Sequence, residues 1–138
     1  MHGKKQHFWI DRRDDRVNAN LMCQVGPQQD TLDTAQILNL SIGGLKFSCT
    51  EETVARLLPE DQRTPGLVSD VIIQLRFQLP LPGRKKPALI NSSASVIHSE
   101  RLAQDNYHIG VRFQGLSDTE RKSIMAYIED NKEQAGNP

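Results

Sequence analysis

The sequence predicts a mainly β fold: a six-stranded antiparallel β-barrel with a C-terminal α-helix and a short inserted helix. Three observations carry this. Apolar residues recur at every second position in several separate stretches, the mark of strands with one face buried. No long helical pattern intervenes between those stretches, which favours a small antiparallel barrel. The last apolar pattern then switches to a helical period behind a capping signal, giving one helix to cover the barrel.

Taken in order, Val17, Ala19, Leu21, Cys23 and Val25 alternate with Asn18, Asn20 and Gln24, a half-buried strand. Gly26-Pro27 ends it, and Gln28-Gln29-Asp30 makes a turn. A second strand spans 33–40. A third spans 45–49, with Leu45, Phe47 and Cys49 on one face. Between these two, Gly43-Gly44 is expected to form a tight positive-φ connection. Thr50-Glu51-Glu52 starts a helix that sets Val54, Leu57 and Leu58 on one face before Pro59.

Residues 60–66 form a polar loop. Val71, Ile73, Leu75, Phe77 and Leu79 give the clearest strand, followed by a Pro-rich turn with Arg84, Lys85 and Lys86 at its tip. Ala88, Ile90, Ala94 and Val96, then Tyr107, Ile109, Val111 and Phe113, supply two more strands around a polar loop. Ser117 and Glu120 form a capping box, and the helix beyond buries Ile124, Tyr127 and Ile128. Residues 1–10 have no periodicity and carry an isolated Phe8-Trp9 pair, so they are expected to be a flexible arm. The domain is expected over 11–131, with a disordered tail over 132–138.

A chain of 138 residues builds one core. Lysine plus arginine (17) balances aspartate plus glutamate (17), so no global field attracts a long polyanion. DNA or RNA binding, which needs a basic surface tracking many phosphates, is not expected. Residues 1–10 contain no apolar run resembling a secretory signal, and stretches such as Val71-Ile72-Ile73 are too short to insert in a membrane. A cytoplasmic protein is expected. Cys23 and Cys49 are too far apart for a CxxC pair or zinc knuckle and read as small core residues.

Nothing points to catalysis. His2, His7, His98 and His108 lack metal-ligand spacing, and Ser41 is not in a G-x-S-x-G elbow. Asp14 and Asp15 are adjacent and point to opposite sides of an extended chain. The expectation is a chain that is not an enzyme and has no metal or cofactor.

Two short motifs point elsewhere. Arg12-Arg13-Asp14-Asp15-Arg16 sets two arginines four apart just before the first strand, and Asn39-Leu40-Ser41-Ile42-Gly43-Gly44 is an Asn-x-Ser-x-x-Gly turn between the next two. In this order and setting they resemble the paired RxxxR and [D/N]xSxxG motifs of the PilZ domain, the bacterial receptor module for cyclic di-GMP. The segment Ile109-Gly110-Val111-Arg112-Phe113 and the helix after it are similar to that family's closing strand and helix. The helix at 51–59 and the turn near Pro80 look longer than in a minimal member.

The resemblance implies that Arg12, Arg16, Asn39, Ser41 and Gly44 bind cyclic di-GMP, with Arg13, Gly43, His98 and Arg112 as possible accessory contacts. The chemistry suits the ligand. A guanidinium fork matches guanine N7 and O6 together, stacks on a purine, or grips a phosphate bidentately. Residues i and i+4 of an extended chain face one side, about 13 Å apart at ~3.3 Å per residue, so Arg12 and Arg16 reach different parts of one ligand. Asn39 offers an amide to a guanine edge, Ser41 a hydroxyl, and Gly44 a close approach. In that family an Arg just before RxxxR accompanies binding of a ligand dimer. Asp11 stands there, implying one ligand per chain.

The resemblance further implies a protein partner in a bacterial signalling pathway, with motility, exopolysaccharide or pilus output. The alternative is a PilZ-fold interaction module that does not bind nucleotide. An oligonucleotide-binding barrel is disfavoured by zero net charge and few aromatics.

Overall fold

The computed structural model describes residues 15–135. Seven strands and two helices follow one another as β1 (Arg16–Gly26), β2 (Asp33–Ser41), β3 (Gly44–Cys49), α1 (Glu51–Leu57), β4 (Gly66–Leu67), β5 (Ile72–Leu79), β6 (Ala88–Ala103), β7 (Asn106–Phe113) and α2 (Asp118–Ala135). All pairings are antiparallel, in the order β4-β6-β5-β1-β2-β3-β7, and β6 also pairs with β7. Six strands therefore close into a ring, and β4 lies outside it.

The alternation read from the sequence is the packing pattern of that ring. Val25, Ile37, Leu40, Phe47, Ile73, Leu75, Leu79, Ile90 and Ile109 have no solvent exposure, and the residues between them face outward. Helix α2 adds Ile124, Tyr127 and Ile128 to the same core. Its capping box forms as expected: Glu120 N–H donates to Ser117 Oγ at 3.1 Å, and Ser117 N–H donates to Glu120 Oε1 at 2.9 Å. Thr50 caps α1, its hydroxyl accepting from Thr53 N–H at 3.2 Å. Arg56 then ties α1 to the start of β2 through Asp33 at 2.7 Å.

Four features differ from the sequence expectations. β6 runs unbroken to Ala103 and turns at Gln104-Asp105, where a polar loop is expected after Val96. Its second half, Ile97-His98-Ser99-Glu100-Arg101-Leu102-Ala103, has no regular apolar alternation, yet its ladder with β7 holds from Val96 to Ala103. The polar loop after α1 contains a 3-10 turn (Glu60–Gln62) and the two-residue strand β4, too short to leave a pattern. The Gly43-Gly44 turn contains no positive φ; among the described residues only Gly66, Gly83 and Asp70 have one. Finally, α2 continues to Ala135, past position 132 where the sequence reading begins a tail.

Two irregularities prepare the site. The β1–β2 register shifts between Asn18 and Leu21, and the β2–β3 register shifts between Ile37 and Asn39. Such bulges bend a strand and re-aim the neighbouring side chains, here at the ends of β1 and β2.

Candidate functional site

The first residue of β1, the end of β2, the start of β3, the end of β7 and the first turns of α2 surround one open cavity of about 800 Å³. Arg16 stands opposite Ser41 in the β1–β2 ladder, and Asn39 pairs with Lys46 across β2–β3. Arg16 Nη1 donates to Asn39 Oδ1 at 2.9 Å, so side chains 23 positions apart make one wall. With its Oδ1 engaged by Arg16, the Asn39 amide nitrogen donates to no acceptor among the described residues, and the rest of the guanidinium fork is open.

The electrostatics are one-sided. Arg16, Lys46, Arg112 and Arg121 line the cavity together with His98, and among the described residues no Asp or Glu lines it. Lys46 is drawn toward Glu100 at 3.8 Å, outside the lining. The Arg112 and Arg121 guanidiniums, by contrast, make no hydrogen bond or ion pair among the described residues. Arg56, Arg63, Arg76 and Arg101 elsewhere all engage protein acceptors. Like charges gathered without counterions repel one another, a cost that a bound anion offsets. The arrangement suits a compact ligand with at least two negative charges and flat polar edges.

Among the described residues no three His, Cys, Asp or Glu side chains gather as a metal site, and no helix is long and apolar enough to cross a membrane.

The family model for the PilZ domain matches residues 10–130, nearly the whole chain. The chain belongs to the PilZ domain family. No curated protein matches it. Among solved structures it is similar to the Bacillus subtilis inhibitor of motility MotI/DgrA, at 15% identity and a TM-score of 0.63, covering 88% of this chain and 50% of that one. It is similar to Borreliella burgdorferi PlzA in complex with c-di-GMP, at 12% identity and TM-score 0.60, over 99% and 58% of the two chains. The PilZ domain of Escherichia coli YcgR with c-di-GMP matches at 15% identity and TM-score 0.56, over 87% and 90%. The chain thus spans about half the length of the first two. At such identities the likeness speaks for the fold.

Within this PilZ fold the motif residues have unequal places. Arg12 and Arg13 lie outside the described residues, as do Phe8 and Trp9. Arg16 and Asn39 face the cavity together. Ser41 also lines it but is only 2% exposed, and its hydroxyl is committed to the turn, accepting from Gly44 N–H at 3.2 Å and donating to Gly44 O at 3.1 Å. Gly44 allows a close approach, but of strand to strand: a Cβ there would meet the Val111 carbonyl oxygen at 2.0 Å. Gly43 has open space around its Cα, and its carbonyl accepts from Phe113 N–H at 2.9 Å. His98 and Arg112 both line the cavity.

Lys46, Gly110 and Arg121 also line the cavity, and the sequence alone gives no site motif for them. Lys46 and Arg121 are ordinary charges on a strand and a helix, and only register and helix docking bring them to the cavity. Gly110 did leave a signal, a glycine inside a regular strand pattern, which often marks a close approach.

Proposed function

We propose that this chain is a cyclic di-GMP receptor, with the cavity between the ends of β1, β2, β3 and β7 as the binding site. One observation carries the reading: the Arg16–Asn39 hydrogen bond joins the two motifs on the wall of a cavity that, among the described residues, is lined by four cations and no carboxylate. Family membership supports it, as do c-di-GMP complexes of similar folds from other bacteria.

In this reading Arg16 and Arg12 present guanidinium forks to guanine edges and phosphates, and Asn39 offers its amide to a base edge. Ser41 and Gly44 act one step back, holding the turn that aims Asn39. Lys46, Arg112 and Arg121 neutralise the two phosphates. The protein binds and signals and does not catalyse: ligand changes the surface around the site and the arm that carries Arg12, and a cytoplasmic partner reads that change. Motility, exopolysaccharide or pilus output are the proposed consequences.

Calorimetric titration with cyclic di-GMP tests the reading, with cyclic di-AMP and GMP as controls. Binding of cyclic di-GMP with strong preference over cyclic di-AMP is expected. Equal affinity for both, or no heat with either, overturns it.

A further inference from the structure

We infer that His98 is a specificity-determining residue of this cavity: its ring forms a stacking platform for the second purine base of the ligand, away from the wall built by the two motifs. The inference rests on the receptor reading and deepens it.

The strand registers lay out a row across the outer face. Asn39 on β2 pairs with Lys46 on β3, Lys46 with Gly110 on β7, and Gly110 with His98 on β6. At about 4.8 Å per strand, Asn39 and His98 stand at most roughly 14 Å apart, with a lysine and then a bare glycine between them. A ligand of two bases joined through two sugar-phosphates fits such a row. One base lies at the Arg16–Asn39 wall, its phosphates lie over Lys46, and the other base reaches His98.

Gly110 and His98 are fitted to each other. A Cβ at Gly110 would lie 2.5 Å from His98 Cε1 and 2.8 Å from Nδ1, so the imidazole fills the place of the missing side chain. The ladder shifts register between Val96 and His98, which sets His98 directly across from this gap. The ring is half-buried, lines the cavity, and makes no hydrogen bond or ion pair among the described residues. A histidine held for structure is usually tied by its ring nitrogens, whereas one held by packing alone offers a flat surface. Stacking of bases on His, like that on Phe, Tyr and Trp, is a common way to hold unpaired nucleotides. The unpaired Arg112 beside it supplies charge on the same side.

The test uses the full chain in four forms: unaltered, His98→Ala, His98→Phe and His98→Gln, each checked for an intact fold by circular dichroism. Cyclic di-GMP is titrated by calorimetry, and GMP, which has a single base, by NMR. His98→Ala is expected to weaken cyclic di-GMP about tenfold or more, a loss within the range of a stacked base, and to leave GMP binding unchanged. His98→Phe recovers most of the loss, and His98→Gln does not. The His98 Cε1–H resonance, assigned by its disappearance in His98→Phe, moves upfield when cyclic di-GMP is added. Unchanged affinity in His98→Ala, full affinity in His98→Gln, an equal loss for GMP, or an unmoved resonance each overturns the inference and leaves the receptor reading standing. Failure of the unaltered chain to bind cyclic di-GMP overturns both.

Discussion

Ser41 and Gly44 are bonded to each other twice: the Ser41 hydroxyl accepts from Gly44 N–H at 3.2 Å and donates to Gly44 O at 3.1 Å. This closes the turn between β2 and β3 without a positive φ, and it uses both the donor and an acceptor of a side chain that is almost fully buried. The motif therefore divides its work. Asn39 faces the cavity, and Ser41 and Gly44 hold the backbone that aims it.

Ser41→Ala should accordingly lose stability as well as affinity. Removing the hydroxyl leaves buried Gly44 polar groups short of a partner, a cost of about 1–3 kcal/mol. Thermal and urea unfolding should show the loss without ligand present. Full stability combined with lost binding would mean that Ser41 serves the ligand directly.

The two adjacent glycines should respond oppositely to alanine. At Gly44 a Cβ would meet the Val111 carbonyl oxygen at 2.0 Å, and the atoms nearest to it are all β7 backbone, so nothing flexible can yield. Overpacking of this kind costs about 1–3 kcal/mol or more. At Gly43 nothing lies within 4 Å of the added carbon, so Gly43→Ala should stay within about 0.5 kcal/mol of the unaltered chain. Urea midpoints of the two variants check this, and equal effects would contradict it.

How far the sequence reaches can be seen strand by strand. β1, β2, β3, β5 and β7 each bury one face, so their alternation survives in Val17 to Val25 or Ile73 to Leu79 and gives the ring directly. The outer half of β6 carries Ser99, Glu100 and Arg101, held by its ladder to β7 rather than by burial of every second residue, and periodicity does not see it. In the site, Arg16 and Asn39 were legible because a motif names them. Lys46 and Arg121 were not, because a cation on a strand or a helix has no signature until register and docking place it. The role of Gly44 was half legible: the need for close approach was evident, but the neighbour that approaches is Val111.

Cys23 and Cys49 should be inert in the native protein. Burial pushes the Cys23 thiol up to about 12, with Cys49 adding to the effect. Burial raises Cys49 to about 12 as well, reinforced by Asp33 and Asp105. The thiolate is the reactive form, so iodoacetamide at pH 8 should leave both unmodified until urea unfolds the chain. The same shifts set a stability trend. From the ordinary thiol value near 9 up to about 12, the unfolded chain releases protons that the folded chain keeps, so stability is full below 9 and falls as pH rises through that window. Tyr127, raised mainly by burial, acts in the same direction. A Cys23→Ala/Cys49→Ala variant should show a flatter decline in urea midpoint above pH 9. Rapid alkylation of the native chain at pH 8 would contradict the burial.

Arg16 gives the most direct test of how the ligand is recognised. Its guanidinium is exposed and bonded to Asn39 at 2.9 Å, and exposed polar contacts of this kind contribute little to folding. Arg16→Ala should therefore leave the urea midpoint within about 0.5 kcal/mol of the unaltered value. A good bidentate base contact is worth about 1–3 kcal/mol, so the same change should weaken cyclic di-GMP by roughly 5- to 150-fold. Arg16→Lys separates charge from shape. Lysine restores the positive charge in the cavity but has neither the fork that spans N7 and O6 nor the plane that stacks, so it should recover only part of the affinity. It should also relax the preference for guanine, because adenine presents the N6 donor where guanine presents O6, and only a fixed fork strongly rejects that exchange. Calorimetry with cyclic di-GMP and cyclic di-AMP on the three chains reads all of these. Full recovery of affinity and selectivity in Arg16→Lys would show that charge alone holds the ligand at this wall.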